Sequence, residues 1–500
     1  MKIVKCLILI VLMVGYWESL RAQTTMPPNI LWIITDDHRP DALQCYNRAS
    51  TGQDNSALGY VSSPNIDALA KEGVLFTNAY CNSPMCTPSR ASMQSGRYPF
   101  RSGHYKFRSH QKAEHSRPLV AQVLRQQGYG TAVFGKLGWG ITQTFDGKPV
   151  YDHTINYASD LQRKGFGDIF TQSLKAEFPD GILRIEDAKE MVIYPDGTTY
   201  TYQTISGNQP VSGEEHPIKA KVEKDFDILR AYTRINTALI LGGENPQPAG
   251  KTVDAYIVEE FKNYLKSQDK DFNTLAGKKA KGANSQKPLM VNIGFHLPHT
   301  PVLPPKSYRD KFKKKKYQLP EFSTEELSNF PPQLVTLYNE CKTDQLREEE
   351  KLQAVRDYYA FCAYGDALIG ESVEAFKAYC QKNQQEYLII FTVGDHGWHL
   401  GEQGIMAKFG PWRQSVQNAA LVVASDKAKF PEGKVVDDMV EFVDFTPTML
   451  AAAGLDLEQA DYDYLDGYDL AAVISKPSLK REYIIGEVNV HTARHFCLKT

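Results

Sequence analysis

An Asp-Asp pair, an Asp-His pair and one cysteine carry the chemistry that this 500-residue chain advertises. Asp36 and Asp37 follow the apolar run "NILWIIT" (29–35), and Asp395 and His396 follow "YLIIFTV" (387–393) across Gly394. An isolated Asp-Asp pair is ordinarily a solvated turn. At the tip of a buried strand, however, two adjacent carboxylates repel one another and call for a cation. Were both pairs to converge on one ion, so oxygen-rich a set would favour a hard divalent cation, Ca²⁺ ahead of Mg²⁺. One imidazole is too little nitrogen for a zinc site.

Cys86 opens the stretch "CTPSRASMQSG". Pro88 suits the first turn of a helix and Gly96 its end, so Cys86 is expected just ahead of a helix amino terminus. Free N–H groups and the helix dipole favour an anion there. Arg90, in the first turns, adds a planar, multidentate donor for an oxyanion. On these residues alone three readings of Cys86 stay open: a buried small hydrophobe, a disulfide partner of Cys81, or a reactive centre.

Four segments must position these groups: "NILWIIT", "GTAVFG" (130–135), "LMVNIGF" (289–295) and "YLIIFTV". Each is nearly continuous in apolar and β-branched residues, as in strands covered on both faces. Helical patterns lie between them at 63–74, 117–128, 253–268 and 355–382. The alternation predicts an α/β fold, a central, mostly parallel sheet flanked by helices. Ligands gather at the carboxyl ends of such strands, where Asp36, Asp37, Lys136, His299, Asp395 and His396 all fall. Residues 181–207 read as a β-hairpin turning at Pro195, Asp196 and Gly197, and 276–287 as a lysine-rich surface loop.

Net charge is −2, with 57 basic against 59 acidic residues, so no overall field invites nucleic acid. Lys2 and Lys5, an apolar run from Cys6 to Trp17 and Ala22 have the layout of a secretory signal over 1–23. The expected location is secreted or periplasmic, with no membrane span once the signal is removed. A catalytic domain is expected over 24–479 and the start of a short C-terminal subdomain over 480–500. Seven cysteines follow the signal, an odd number without a CxxC pair, which argues against both a disulfide scaffold and a zinc motif. Export would threaten a lone reactive thiol unless it has been chemically converted.

CTPSR with Gly96 and Arg97, the Gly135-Lys136 box, "HLPHTP" (296–301) and "GDHGWHLGEQGIMAKFG" (394–410) occur here in an order that resembles the type I, formylglycine-dependent sulfatases of the alkaline phosphatase superfamily. "DHGWHLGE" is most similar to the iduronate-sulfatase-like branch. The resemblance implies an alkaline-phosphatase-like fold and a Cys86 oxidised to formylglycine (3-oxoalanine) by a maturation enzyme. It implies one Ca²⁺ held by Asp36, Asp37, Asp395 and His396, with the modified Cys86 completing the shell. Arg90, Lys136, His299 and Lys408 match positions that hold the sulfate and the leaving oxygen. A hydrated aldehyde would then attack sulfur, His299 or Lys408 would protonate the leaving oxygen, and the second hydroxyl would expel sulfate.

One position departs from the family pattern. A histidine usually follows the box lysine by two or three residues, whereas this chain has Gly138 and Trp139. His38, His104 and His399 are the substitutes at hand. The basic run "KFKKKKYQLP" (311–320) and "FGPWR" (409–413) suggest a rim for a polyanionic sugar, with His399 and Arg413 as candidate substrate contacts. The expected substrate is a sulfated polysaccharide or its oligosaccharides, algal (ulvan, carrageenan) ahead of glycosaminoglycan. A phosphate or phosphonate monoester hydrolase and a carbohydrate-binding pseudoenzyme are the competing readings.

Overall fold

A computed structural model describes residues 26–106, 116–138, 149–177, 184–211, 216–233, 237–488 and 494–499. The signal segment and Trp139 lie outside the described residues.

The architecture follows from strands with two apolar faces. Strands β1 (Asn29–Asp36), β2 (Val74–Tyr80), β3 (Gly130–Gly135), β4 (His153–Asn156), β5 (Leu289–Pro298), β6 (Tyr387–Thr392), β7 (Gln417–Ala424) and β8 (Lys434–Val436) form one sheet. Their order is β8-β2-β7-β6-β1-β5-β3-β4, with Val440–Glu441 as a ninth strand pairing with β2. The pairs β1·β5, β1·β6, β5·β3 and β3·β4 are parallel, and β7 runs against both of its neighbours. The four strands expected from the sequence are thus consecutive at the centre, as β6-β1-β5-β3.

Side chains of β1 alternate between two cores. Leu31 and Ile33 join one apolar cluster and Ile30, Trp32 and Ile34 the other. Each such fully buried side chain contributes about 1.5–3 kcal/mol. The first cluster takes residues from α1 (Pro64–Lys71), α4 (Val253–Lys266) and α5 (Glu348–Lys382), and the second from α2 (Cys86–Ser95), α3 (Val120–Gln126) and α6 (Phe445–Ala452). The sheet therefore lies between two helical layers.

The helix expected over 63–74 ends at Lys71, and Val74 instead begins β2. The expected hairpin is present as Arg184–Ile193 against Thr199–Ser206, inside a four-stranded antiparallel sheet. Asp196 accepts from the Thr198 N–H at 2.9 Å in its turn, and Gly197 takes φ 86°. The loop expected over 276–287 contains a strand, Lys279–Lys281, paired with Asp271–Asn273. Near the end, Tyr483–Val488 and Arg494–Lys499 form a two-stranded hairpin. Among the described residues no helix is long and apolar enough to cross a membrane.

Candidate active site

Backbone packing at the strand ends explains why these residues converge. A Cβ on Gly135 would lie 2.1 Å from the Gly294 carbonyl oxygen, and one on Gly294 would lie 2.0 Å from that of Lys136. Only glycines allow so close an approach, which sets Lys136 at the tip of β3. Asp37 follows β1 with φ 59°, a left-handed conformation that is costly for a non-glycine residue. Its carbonyl accepts from the Tyr358 hydroxyl at 2.6 Å, and that hydroxyl accepts from the Arg39 N–H at 2.9 Å, so α5 holds the turn. Helix α2 begins at Cys86 and ends at Gly96 in the left-handed region, φ 64°. The Ser89 hydroxyl donates to the Asp395 carbonyl and ties the helix to the tip of β6.

Cys86 sits at the meeting point. Its Sγ is 3.1 Å from Lys408 Nζ, 3.3 Å from His396 Nε2 and 3.6 Å from Asp36 Oδ1. One ligand atom from each of Asp36, Cys86, Asp395 and His396 falls within a common 4.8 Å, as do atoms of Asp36, Asp37 and His299. His396 Nδ1 is 3.2 Å from Asp37 Oδ1, which accepts from Lys408 Nζ at 2.8 Å. The other oxygen, Asp37 Oδ2, is buried and has no hydrogen-bond partner among the described residues. An orphaned carboxylate oxygen beside two further carboxylates and an imidazole fits a hard divalent cation.

Three cations balance these acids. Lys136 Nζ lies 2.5 Å from Asp36 Oδ2, and Lys408 serves Asp37. Arg90 Nε donates to Asp395 Oδ2 at 2.7 Å, Nη2 to Asp36 Oδ2 at 3.3 Å and Nη1 to the Lys136 carbonyl at 2.8 Å. The fork expected to receive an oxyanion therefore braces two carboxylates and the tip of β3. Burial opposes ionisation of Asp36, yet the charges of Lys136, Lys408 and Arg90 hold its carboxyl well below the usual range. For Asp37 burial wins over Lys408, and Asp36 and Asp395 add to the rise. Burial and the Asp36 charge push the Cys86 thiol up to about 12, so it stays protonated at neutral pH. Burial, then Lys136 and Lys408, keep His299 neutral. Its Nδ1 lies 2.6 Å from the Thr300 carbonyl, which assigns the proton to Nδ1 and turns Nε2 toward Asp37 Oδ2 at 3.7 Å.

A cleft of about 350 Å³ opens over this centre, lined among others by Cys86, Lys136, His299 and Lys408. Tyr157, Phe170, Trp398 and Phe409 also line it; Phe409 belongs to the FGPWR stretch expected at the substrate rim, and sequence reasoning missed the other three as site residues. Phe409 and Trp398 lay in quoted motifs, but nothing in their spacing says which way they face. Two residues expected to contact substrate are not among those lining this cleft. His399 is fully buried, with Nε2 at 2.9 Å from Ser415 Oγ and Nδ1 at 3.2 Å from the Glu402 carbonyl, so it braces the loop after β6. Arg413 lines a different cleft with Arg39, Tyr46 and Leu319, the end of the basic stretch. His38 is buried against Thr35 Oγ1 at 3.0 Å, and neither it nor His104 is among the residues lining the Cys86 cleft. All seven described cysteines are free, which removes the Cys81–Cys86 disulfide.

The sulfatase family profile matches residues 28–455. An ulvan-active sulfatase of Formosa agariphila is 24% identical over 462 residues, covering 90% of this chain and 65% of that protein. Iduronate 2-sulfatase of Mus musculus is 24% identical over 470 residues, covering 85% of this chain and 69% of that one. The phosphonate monoester hydrolase structure from Silicibacter pomeroyi superposes with TM-score 0.60 at 18% identity, over 92% of this chain and 79% of that chain. At that identity the last likeness speaks for the alkaline-phosphatase-like fold alone. With a matching profile spanning most of its length, the chain belongs to the sulfatase family of sulfuric ester hydrolases.

Proposed function

We propose that the protein is a carbohydrate sulfatase, exported to the periplasm or beyond, acting on a sulfated polysaccharide or its oligosaccharides. The observation that carries this reading is Cys86 at the start of a buried helix, in contact with Lys408, His396 and Asp36 at the floor of the cleft. A thiol held protonated is a poor nucleophile, which suits a cysteine that is a precursor of formylglycine. Converted by a maturation enzyme, that residue supplies a hydroxyl nucleophile. Asp36, Asp37, Asp395 and His396 are the residues for Ca²⁺, which would withdraw charge from the sulfuryl oxygens.

The chain's own groups do the remainder. Lys136 and Lys408, both lining the cleft, hold the sulfate anion and meet the charge that develops on it. The ester's negative charge offsets the two lysines that suppress protonation of His299. Proton affinity at Nε2 therefore rises as substrate binds, and His299 becomes the acid for the leaving oxygen. Phe170, Trp398 and Phe409 offer apolar faces of the kind that sugar rings pack against. Algal polysaccharide is favoured over glycosaminoglycan, although an ulvan-active and an iduronate relative stand at the same 24% identity.

Two measurements test the reading. The mass of the Cys86 peptide should fall by about 18 Da on conversion of thiol to aldehyde. Sulfate release from defined ulvan, carrageenan and glycosaminoglycan oligosaccharides should then identify the sugar. Faster hydrolysis of an aryl phosphate or phosphonate than of the aryl sulfate would favour the phosphoryl reading. An unconverted Cys86 without turnover of any ester would favour a binding protein.

A further inference from the structure

We propose that Tyr157 is a substrate-touching residue of this site, its phenol O–H donating a hydrogen bond to an oxygen of the sulfate group bound beside Lys136. The inference rests on the sulfatase reading above and adds a donor which neither the Asp-Asp and Asp-His pairs nor the CTPSR stretch discloses. Strand β4 pairs in parallel with β3 in the register Ala132↔His153 to Gly135↔Asn156. One further step along both strands brings Tyr157 beside Lys136. At that point β4 breaks into a single π-type turn, Tyr157–Leu161, a rare geometry that is frequent at functional sites. The turn is pinned by Asn156, whose Oδ1 accepts from the Ala158 and Ser159 N–H groups at 3.0 and 3.1 Å.

The placement of the side chain is equally particular. Its ring packs on His296 with centroids 5.2 Å apart, and His296 packs on His299 at 5.0 Å, so three rings run along one wall of the cleft. Lys136 and Lys408 already serve Asp36 and Asp37, and His299 Nδ1 serves the Thr300 carbonyl. The Tyr157 hydroxyl has no hydrogen-bond partner among the described residues, although it lines the cleft. Burial raises its pKa, so it presents a proton to an anion. Gly138, which lines the same cleft two residues after Lys136, contributes no side chain there. A neutral O–H donor beside a lysine suits a sulfate oxygen that must be held without another full charge.

Tyr157→Phe keeps the ring stack and removes only the hydroxyl. The variant should melt within about 2 °C of the parent, as a surface-lining change without packing loss does. Its kcat/KM for an aryl sulfate should fall about 10- to 100-fold, the effect of one lost hydrogen bond to a charged group. By calorimetry, its Kd for inorganic sulfate should rise about tenfold or more. Unchanged sulfate affinity in a folded Tyr157→Phe protein would overturn the proposal, whatever the turnover. Absence of sulfatase turnover in the parent would sink the functional reading instead, and the sulfate affinities of parent and variant would still decide this one.

Discussion

Arg90 and Arg481 are both buried between two carboxylates. Arg90 bonds Asp395 at 2.7 Å and Asp36 at 3.3 Å, and Arg481 bonds Asp444 at 2.6 Å and Glu441 at 2.9 Å. Around Arg481 every carboxylate oxygen is occupied. Glu441 Oε1 accepts from Asn82 Nδ2 and the Ile485 N–H, and Oε2 from the Tyr98 hydroxyl. Asp444 takes the N–H groups of Tyr468 and Glu441. That network docks the terminal hairpin and has no valence to spare. Around Arg90 there are a third acid, two lysines, an orphaned oxygen on Asp37 and an open cleft. The same ion pair is structural where its neighbours satisfy it and chemical where they leave donors and acceptors in excess.

The largest effect should come from Cys86→Ala, which removes the reactive atom from the open network. Sulfate release should fall on the order of 10³-fold or more, while the melting temperature moves by no more than about 3 °C. A variant with a tenth of parental turnover would mean that Cys86 is not the centre. Arg481→Met should do the reverse. Breaking a closed buried network costs about 3–5 kcal/mol in denaturant unfolding, with kcat per folded molecule within about twofold of the parent. Equal losses of turnover in both variants would erase the distinction.

Cation addition probes the spare valence directly. Ca²⁺ at a hundred times its Kd should stabilise the parent by about 2.7 kcal/mol, and a chelator should reverse the shift. Asp37→Asn should lose most of that response, whereas Glu441→Gln, in the closed network, should keep it. Parental stability that does not change with Ca²⁺ would argue that the carboxylates serve the lysines alone.

Much of this contrast was legible in sequence, because the four central strands are buried on both faces and end in their functional residues. The start of α2 was legible too, from Pro88 and Gly96. Strand β2 was not, since the helical pattern 63–74 runs into Val74 without a break. Nor was β7, whose "QNAALVVA" is fully buried yet opens on two polar residues and is alanine-rich. Side-chain direction escaped altogether. His399 lies three residues beyond His396 and faces Ser415, and Arg90 faces its own carboxylates. Tyr157 belongs to the site only through its register with β3, a non-local fact that no local motif encodes.

Asp254 carries the comparison to a buried acid with no arginine. It is 2% exposed, accepts the His296 N–H at 2.7 Å and has no ion pair among the described residues. Burial raises its pKa to about 7 from the ordinary 3.8. The native state thus holds a proton there which the unfolded chain has already lost between those two values. Stability from this group is fully present below about pH 4 and is lost as pH rises through about 7. Asp254→Asn keeps an acceptor for the His296 N–H and removes the titration. Its stability relative to the parent should therefore rise with pH, by on the order of 1–2 kcal/mol in total between pH 4 and pH 8, less than the roughly 4 kcal/mol that a rigid site would give over about three units. Denaturant unfolding of both proteins across that range measures the difference. A flat difference would mean that water or a cation relieves Asp254 as the arginines relieve their acids, and would place it with the closed network of Arg481.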